Sequence, residues 1–175
     1  MEIVKRYSNC YILKDIVVDV DHNECFNDFN MNFNFPNDHD HWELKQYTWN
    51  DQFDDSNIHN FIFDNIDEIP NDSIIRKGFH EIGYGQCIPP HSDINHIAGL
   101  TVFLNKEWEE HWGGHNCCIE NPDSDGGGAY GDSIITRPVY GMGVLVIAPC
   151  LHFTLPVFEN KKRRTCQFFY DPKVA

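Results

Sequence analysis

The 175-residue sequence has few basic residues: 13 lysines and arginines stand against 27 aspartates and glutamates, a formal net charge of -14 with histidines neutral. Residues 1–75 contain 16 acids and 4 bases, so most of the excess negative charge lies in this half. Proteins bind nucleic acids largely by neutralising phosphates with Lys and Arg. The composition therefore argues against a nucleic-acid partner.

The sequence also lacks a long hydrophobic run. No segment approaches the roughly 20 apolar residues that a membrane-spanning helix needs, and the first seven residues mix charges with apolar side chains, unlike a signal peptide. Its seven cysteines are an odd number in a chain long enough to fold without disulfides. We therefore expect no membrane partner and a cytoplasmic location. The usage of Asn, Asp, Ile and Lys suggests an AT-rich genome, such as that of a bacterium or a phage.

Aromatic residues are plentiful, at 14% of the chain, which favours sheet over helix. A stripe of isoleucines predicts one helix over 56–69, with Ser56 as its cap and Pro70 as its end. Residues 1–20 are typical of one or two strands, and 21–55 of an ordered, loop-rich segment. After residue 74, short apolar runs alternate with turn residues, which indicates an antiparallel sandwich or barrel. These runs are 79–84, 99–104, 115–119, 133–139, 143–148, 152–158 and 164–170, with a Gly-rich loop at 126–131.

This organisation predicts a single domain over 1–175. In it, an acidic region (1–75) carrying the helix flanks a β core (76–175) that carries the chemistry.

One spacing of metal-binding residues stands out among the ten histidines. His91 and Asp93 form a His-x-Asp pair after the turn signal Pro89-Pro90, and His152 follows the apolar run 143–148. Residues i and i+2 of a strand share a face, so the pair projects both side chains to one side. Two imidazoles and one carboxylate are the facial triad of non-haem Fe(II) oxygenases, which leaves coordination positions open.

The surrounding segments resemble the 2-oxoglutarate- and Fe(II)-dependent dioxygenases, in their prolyl-hydroxylase-like branch. The resemblance covers residues 79–171. It is carried by four segments in the family's order: Gly85-Gln86-Cys87-Ile88-Pro89-Pro90-His91-Ser92-Asp93; Leu100 to Trp108 followed by Trp112-Gly113-Gly114; Pro138 to His152 followed by Pro156-Val157; and Arg163 to Tyr170.

The resemblance implies a double-stranded β-helix, or jelly roll, with His91, Asp93 and His152 holding Fe(2+) at its open end. It implies that 2-oxoglutarate chelates the metal beside O2, and that a C–H bond is hydroxylated with release of succinate and CO2. No catalytic residue beyond the metal ligands is implied, and ascorbate is a further reductant that the family accommodates. Peptidyl proline is the first substrate expected. A free amino acid or other small molecule is the alternative, as is a jelly-roll protein that binds metal or ligand without turnover.

A basic residue on the closing strand is expected to bind the far carboxylate of 2-oxoglutarate. Strand parity separates Arg163 and Thr165 from Lys162 and Arg164. The family often pairs its arginine with a hydroxyl two residues on, which favours Arg163 with Thr165 and leaves Lys162 and Arg164 as alternatives.

Two positions depart from the family's pattern. Ile82 lies nearest the register at which many relatives carry a co-substrate-binding tyrosine. Phe103 likewise stands where prolyl hydroxylases often have a tyrosine. Both changes bear on affinity for the co-substrate.

A second group of metal-binding residue types, His111, His115, Cys117 and Cys118, permits a structural zinc. Because Gly113-Gly114 interrupts any helix that would align the two histidines, an ordinary loop that enters a buried strand is the favoured interpretation.

Overall fold

The computed structural model describes residues 1–18, 20, 25–26, 44–49, 53–119 and 133–173. Within these ranges the chain is mainly β and contains the helix α1 (Ser56–Asn65) and a 3-10 turn at Glu110–Trp112. The strands are β1 (Glu2–Arg6), β2 (Cys10–Lys14), β3 (Lys45–Thr48), β4 (Ile74–Ile82), β5 (Ile88–His91), β6 (Ala98–Phe103), β7 (Asn116–Ile119), β8 (Ser133–Thr136), β9 (Gly143–Ile147), β10 (Leu151–Thr154) and β11 (Arg163–Asp171).

The strands form two antiparallel sheets. The major sheet has seven strands in the order β1-β2-β9-β6-β11-β4-β3, and the minor sheet has four in the order β5-β10-β7-β8. Strands adjacent in space are mostly distant in sequence, as the pairing of β11 with both β4 and β6 illustrates. Two sheets that exchange strands in this way form a jelly roll, so the predicted fold class is confirmed.

The outer face of the major sheet packs against α1. Ile58, Ile62 and Ile66 lie four residues apart, so they form one stripe along the helix and its C-terminal end. They join a core with Phe79 of β4 and Phe168 of β11, both fully buried. Burial of this stripe, rather than helix propensity, holds the helix in place.

The inner face of the major sheet packs against the minor sheet and divides into two parts. One part is apolar: Phe103 and Val144 of the major sheet pack with Cys118 and Ile134 of the minor sheet and with Cys150. The other part, along β4 and β11, carries buried polar side chains: His80, Arg163, Thr165 and Gln167. The site described below is built on this polar part.

The helix departs from its prediction at both ends. Asp55, not Ser56, is the residue that precedes the first turn, and the Asp54 carboxylate accepts a hydrogen bond from the Ser56 backbone N–H at 3.0 Å. The helix ends at Asn65, because Ile66 adopts an extended backbone before Pro70 is reached.

Two strands were not predicted. Pro89-Pro90 was expected to mark a turn but lies inside β5, which is an edge strand of the minor sheet and pairs only with β10. Proline is tolerated on an edge because its missing N–H is not needed for a second neighbour. β3 arises within the segment expected to be loop-rich, and pairs with β4 at the other edge of the major sheet.

Other expectations are met or lie outside the described residues. Two strands, β1 and β2, form within residues 1–14, whereas 15–18 and 20 lie outside any strand, and the pairing of β2 with β9 extends the major sheet. The predicted Gly-rich loop at 126–131 and most of the segment 21–55 lie outside the described residues. Among the described helices, none has the length and apolar character needed to cross a membrane.

Candidate active site

The three predicted metal ligands converge at the minor sheet. His91 is the last residue of β5, and His152 is its direct partner on β10. Asp93 follows β5 by two residues, and its carboxylate oxygens lie 3.6 Å from His91 Nε2 and 3.5 Å from His152 Nε2. Within the described part of the chain, these three form the only group of His, Cys, Asp or Glu side chains close enough to share one metal ion.

Backbone carbonyls orient both imidazoles. His91 Nδ1 lies 2.9 Å from the carbonyl oxygen of Pro89, and His152 Nδ1 lies 3.0 Å from that of Cys150. A carbonyl only accepts, so each Nδ1 carries a hydrogen, and Nε2 is the ring nitrogen of each histidine that faces Asp93. Histidines that bind metals are usually held in this way by a hydrogen bond at the other ring nitrogen.

The charges of the triad are coupled. Burial alone raises the pKa of Asp93, but its hydrogen bond to His152 and the two neighbouring imidazoles outweigh burial, and the net pKa is lowered. Burial lowers the pKa of His152, but Asp93 outweighs it and the net pKa is raised. Asp93 is therefore a carboxylate at neutral pH, the form in which it can bind a cation.

Arg163, at the start of β11, is the largest of the fully buried side chains. Its Nε and Nη2 atoms are buried and have no hydrogen-bond partner among the described residues. The guanidinium lies 5.1 Å from the centre of the Phe103 ring, and burial lowers its pKa to about 9, which still leaves it charged at neutral pH. A buried charge without a partner is costly, so the Arg163 guanidinium is suited to pair with an anionic ligand.

Thr165 lies two residues after Arg163 on the same face of β11 and is also fully buried. Thr101 donates to Gln167 Oε1 at 2.8 Å, and Gln167 Nε2 donates to Thr165 Oγ1 at 2.9 Å. The chain of hydrogen bonds makes the Thr165 oxygen an acceptor here, so its own hydroxyl hydrogen is left for another group.

The alternative basic residues face the other way. Arg164 Nε donates to Glu81 at 3.0 Å, and Lys162 Nζ lies 3.1 Å from the same buried carboxylate. Both cations are thus already paired by Glu81 on the outer side of the sheet. The contrast with Arg163 follows directly from strand alternation.

The second group of metal-binding residue types does not assemble. Cys117 and Cys118 are buried in β7, whereas His111 is exposed in the 3-10 turn. Cys118 instead receives a thiol hydrogen bond from Cys10, with the two sulfur atoms 3.3 Å apart.

Two buried polar residues of this face, Gln167 and His80, were not singled out from the sequence. Gln167 continues the alternation of polar residues that begins at Arg163 and Thr165, and this pattern within an apolar strand was the available signal. His80 had a weaker signal, as one polar residue beside Phe79.

The structure was compared with solved structures. A Pseudomonas putida prolyl-4-hydroxylase is similar, with a TM-score of 0.53 and 16% identity over 68% of this chain and 61% of that one. The chain has the fold of a prolyl 4-hydroxylase. The resemblance noted in the sequence is thereby confirmed at the level of the fold.

A Burkholderia pseudomallei oxidoreductase of the 2OG-Fe(II) oxygenase family also matches, with a TM-score of 0.49 and 15% identity over 66% of this chain and 55% of that one. The chain thus spans less than two thirds of the length of these neighbours. No family model and no curated protein matches the sequence.

Proposed function

We propose that the chain is an Fe(II)- and 2-oxoglutarate-dependent dioxygenase that hydroxylates a C–H bond. One observation carries the proposal: the jelly roll holds both the triad of His91, Asp93 and His152 and a buried cation, Arg163, whose Nε and Nη2 atoms have no hydrogen-bond partner among the described residues. A metal site alone suits many functions. A metal site together with a buried anion-binding group suits a co-substrate that has both a chelating end and a carboxylate end.

His91, Asp93 and His152 would hold the metal through two Nε2 atoms and one carboxylate oxygen. The donor set fits Fe(II), because two imidazoles and one carboxylate are the ligands of the non-haem iron oxygenases. The metal, when bound with 2-oxoglutarate, supplies activation of O2 for oxidation of a C–H bond, with release of succinate and CO2. The protein's part is to keep both imidazoles in the Nδ1–H form, through the carbonyls of Pro89 and Cys150.

Arg163 and Thr165 would bind the far carboxylate of 2-oxoglutarate. The planar guanidinium donates two parallel hydrogen bonds to a carboxylate, and Thr165 has a hydroxyl hydrogen available on the same face of β11. Binding of the carboxylate would satisfy the buried Nε and Nη2 atoms. The unfavourable free energy of burying Arg163 without a partner would then be relieved on binding, which favours an anionic ligand.

A peptidyl proline is the first substrate class proposed, since the similar Pseudomonas protein is a prolyl-4-hydroxylase. The net charge of -14 favours a basic or neutral polypeptide over a nucleic acid. All seven cysteines lie in the described part of the chain and none is in a disulfide bond, which suits the reducing cytoplasm that we propose as the compartment.

A non-catalytic binding protein is the second candidate. It is favoured by Ile82 and Phe103, which place apolar side chains where related enzymes have tyrosine hydroxyls. Both residues are fully buried, so bulk water does not reach either position to supply the hydroxyl.

The two candidates differ in turnover. The iron-loaded protein is incubated with 2-oxoglutarate, O2 and a peptide pool from a cell lysate, and succinate is measured together with peptides heavier by 16 Da. Asp93→Ala is the control. Oxygen-dependent succinate that Asp93→Ala abolishes supports the enzyme. Tight binding of 2-oxoglutarate without any succinate supports the binding protein.

A further inference from the structure

His80 lies on the inner face of β4, beside the residues that form the proposed anion site. It is the direct partner of Thr165 on β11 and of Gln46 on β3. Direct partners in antiparallel strands point to the same side of the sheet, with Cβ atoms about 5 Å apart. Gln46, His80 and Thr165 therefore form a row across β3, β4 and β11. The row lies on the face of β11 that also carries Arg163.

The protonation of His80 follows from its surroundings. Burial, assisted by the positive charge of Arg163 and opposed by Asp93, lowers the pKa of His80 to about 3. The imidazole is therefore neutral at physiological pH.

Gln46 determines which ring nitrogen carries the hydrogen. The amide nitrogen of Gln46 lies 2.9 Å from His80 Nε2. An amide nitrogen only donates, so His80 Nε2 is the acceptor and the hydrogen is on Nδ1. His80 Nδ1 is thus a donor. It is buried and has no hydrogen-bond partner among the described residues.

A buried donor without a partner costs stability unless a ligand or water satisfies it. The Arg163 Nε and Nη2 atoms, on the same face of the sheet, are also buried donors without a partner among the described residues. His80 is the neutral donor adjacent to Thr165 in the same face.

We propose that His80 is a 2-oxoglutarate-binding residue whose Nδ1–H donates to the far carboxylate, and that Gln46 is a positioning residue that fixes this tautomer. The inference rests on the proposed function, because it assigns a residue to the co-substrate of that site. In this assignment, an imidazole on β4 serves where related enzymes use tyrosine hydroxyls.

The test measures the dissociation constant of 2-oxoglutarate by calorimetry on the Mn(II)-loaded protein, where no turnover occurs. His80→Leu removes the donor, and the affinity falls roughly tenfold or more if the hydrogen bond to a charged group is lost. His80→Asn places an amide nitrogen near the position of Nδ1, and the affinity stays within about threefold of wild type.

A shorter ligand separates the far carboxylate from the metal end. Pyruvate chelates through the same keto-acid group but lacks the far carboxylate, so His80→Leu leaves its affinity unchanged. His59→Leu is the matched control: His59 is equally buried, on α1 against Tyr170, outside this pocket. His59→Leu lowers the melting temperature without changing 2-oxoglutarate affinity.

Two failures are distinct. If the wild-type protein does not bind 2-oxoglutarate with Mn(II), the proposed function is wrong, and this inference falls with it. If wild type binds and His80→Leu binds within twofold, or if His80→Leu weakens pyruvate as strongly as 2-oxoglutarate, the assignment of His80 is wrong while the proposed function stands.

Discussion

His91 and His152 are direct partners across the β5–β10 pair, and the centres of their imidazole rings lie 4.2 Å apart. The residues are 61 positions apart in sequence, so the pairing of two strands, rather than a local motif, sets the distance between them. Asp93 completes the group from the loop that follows β5. The geometry of the triad therefore depends on the register of one short strand pair.

Removal of any one triad residue should abolish metal binding. We expect His91→Ala, Asp93→Ala and His152→Ala each to lose Fe(II) binding and Fe(II)-dependent succinate formation while the far-UV circular dichroism stays unchanged, because these side chains contribute little to the core. His111→Ala and His115→Ala are controls that keep both. Anaerobic calorimetry with Fe(II) measures the effect. Loss of iron in either control, with iron retained in His152→Ala, would identify a different third ligand.

Arg163 and Arg164 should differ sharply in their effect on the co-substrate. Arg163→Ala removes charge-assisted hydrogen bonds of about 1.5–3 kcal/mol, so the KM for 2-oxoglutarate should rise roughly 10- to 150-fold. Arg164→Ala breaks a contact with Glu81 on the outer face and should change the KM by less than about threefold. Succinate release at varied 2-oxoglutarate measures both. A large effect at Arg164 with none at Arg163 would contradict the assigned face of β11.

The ligand-free protein should gain stability when the buried charge is removed. Arg163→Met keeps a long apolar stem but removes a guanidinium whose Nε and Nη2 atoms lack partners. We expect the free energy of unfolding to increase by about 1–4 kcal/mol, as when buried ionic groups are replaced by apolar ones. Urea unfolding without ligand measures it, and Lys106→Met, at an exposed position, is the control. A destabilised Arg163→Met would mean that the guanidinium is paired in the ligand-free protein.

Acid should destabilise the fold partly through His80. The pKa of His80 is about 3 in the folded protein and 6.5 without burial. Between these values the unfolded chain binds a proton that the folded chain does not, so the free energy of unfolding falls as the pH falls, by up to about 1.4 kcal/mol per pH unit. His80→Asn should therefore lose stability less steeply than wild type from pH 6.5 to 4. Urea unfolding at several pH values tests this, and parallel curves would show that His80 is not the group responsible.

Two glycines with similar φ should respond differently to alanine. Gly113 and Gly85 have φ of +70° and +75°, but a Cβ on Gly113 would lie 2.2 Å from the Pro156 carbonyl oxygen, whereas one on Gly85 meets nothing within 4 Å. Gly85→Ala should cost about 1–2 kcal/mol of backbone strain. Gly113→Ala should cost more than about 3 kcal/mol, because a clash adds to the strain. Thermal unfolding compares the two, and equal costs would mean that the Gly113 segment moves away freely.

The sequence carried a good part of the site because the chemistry is local. The His91-Ser92-Asp93 spacing, the apolar strand before His152 and the alternation of Arg163 with Thr165 can each be seen in a few consecutive residues. Strand parity alone separated Arg163 from Arg164, and the structure places Arg164 against Glu81 on the opposite face. The apolar runs predicted the central strands for the same reason, since alternation and turn residues are properties of short segments.

The tertiary structure decided what depends on neighbours distant in sequence. Whether Pro89-Pro90 turns or extends is determined by β10, which offers an edge partner. Whether Arg163 is paired is determined by which side chains the other strands bring near it, and none of those in the described ranges bonds its Nε or Nη2 atom. The proposed role of His80 depends on Thr165 and Gln46. These residues lie 85 and 34 positions away in sequence and become its neighbours when β3, β4 and β11 pair. The sequence determined which side chains share a strand face. Packing of the sheets determined which of those faces meet and which charges remain unpaired, because the energies of burial and of charge pairing arise only between segments.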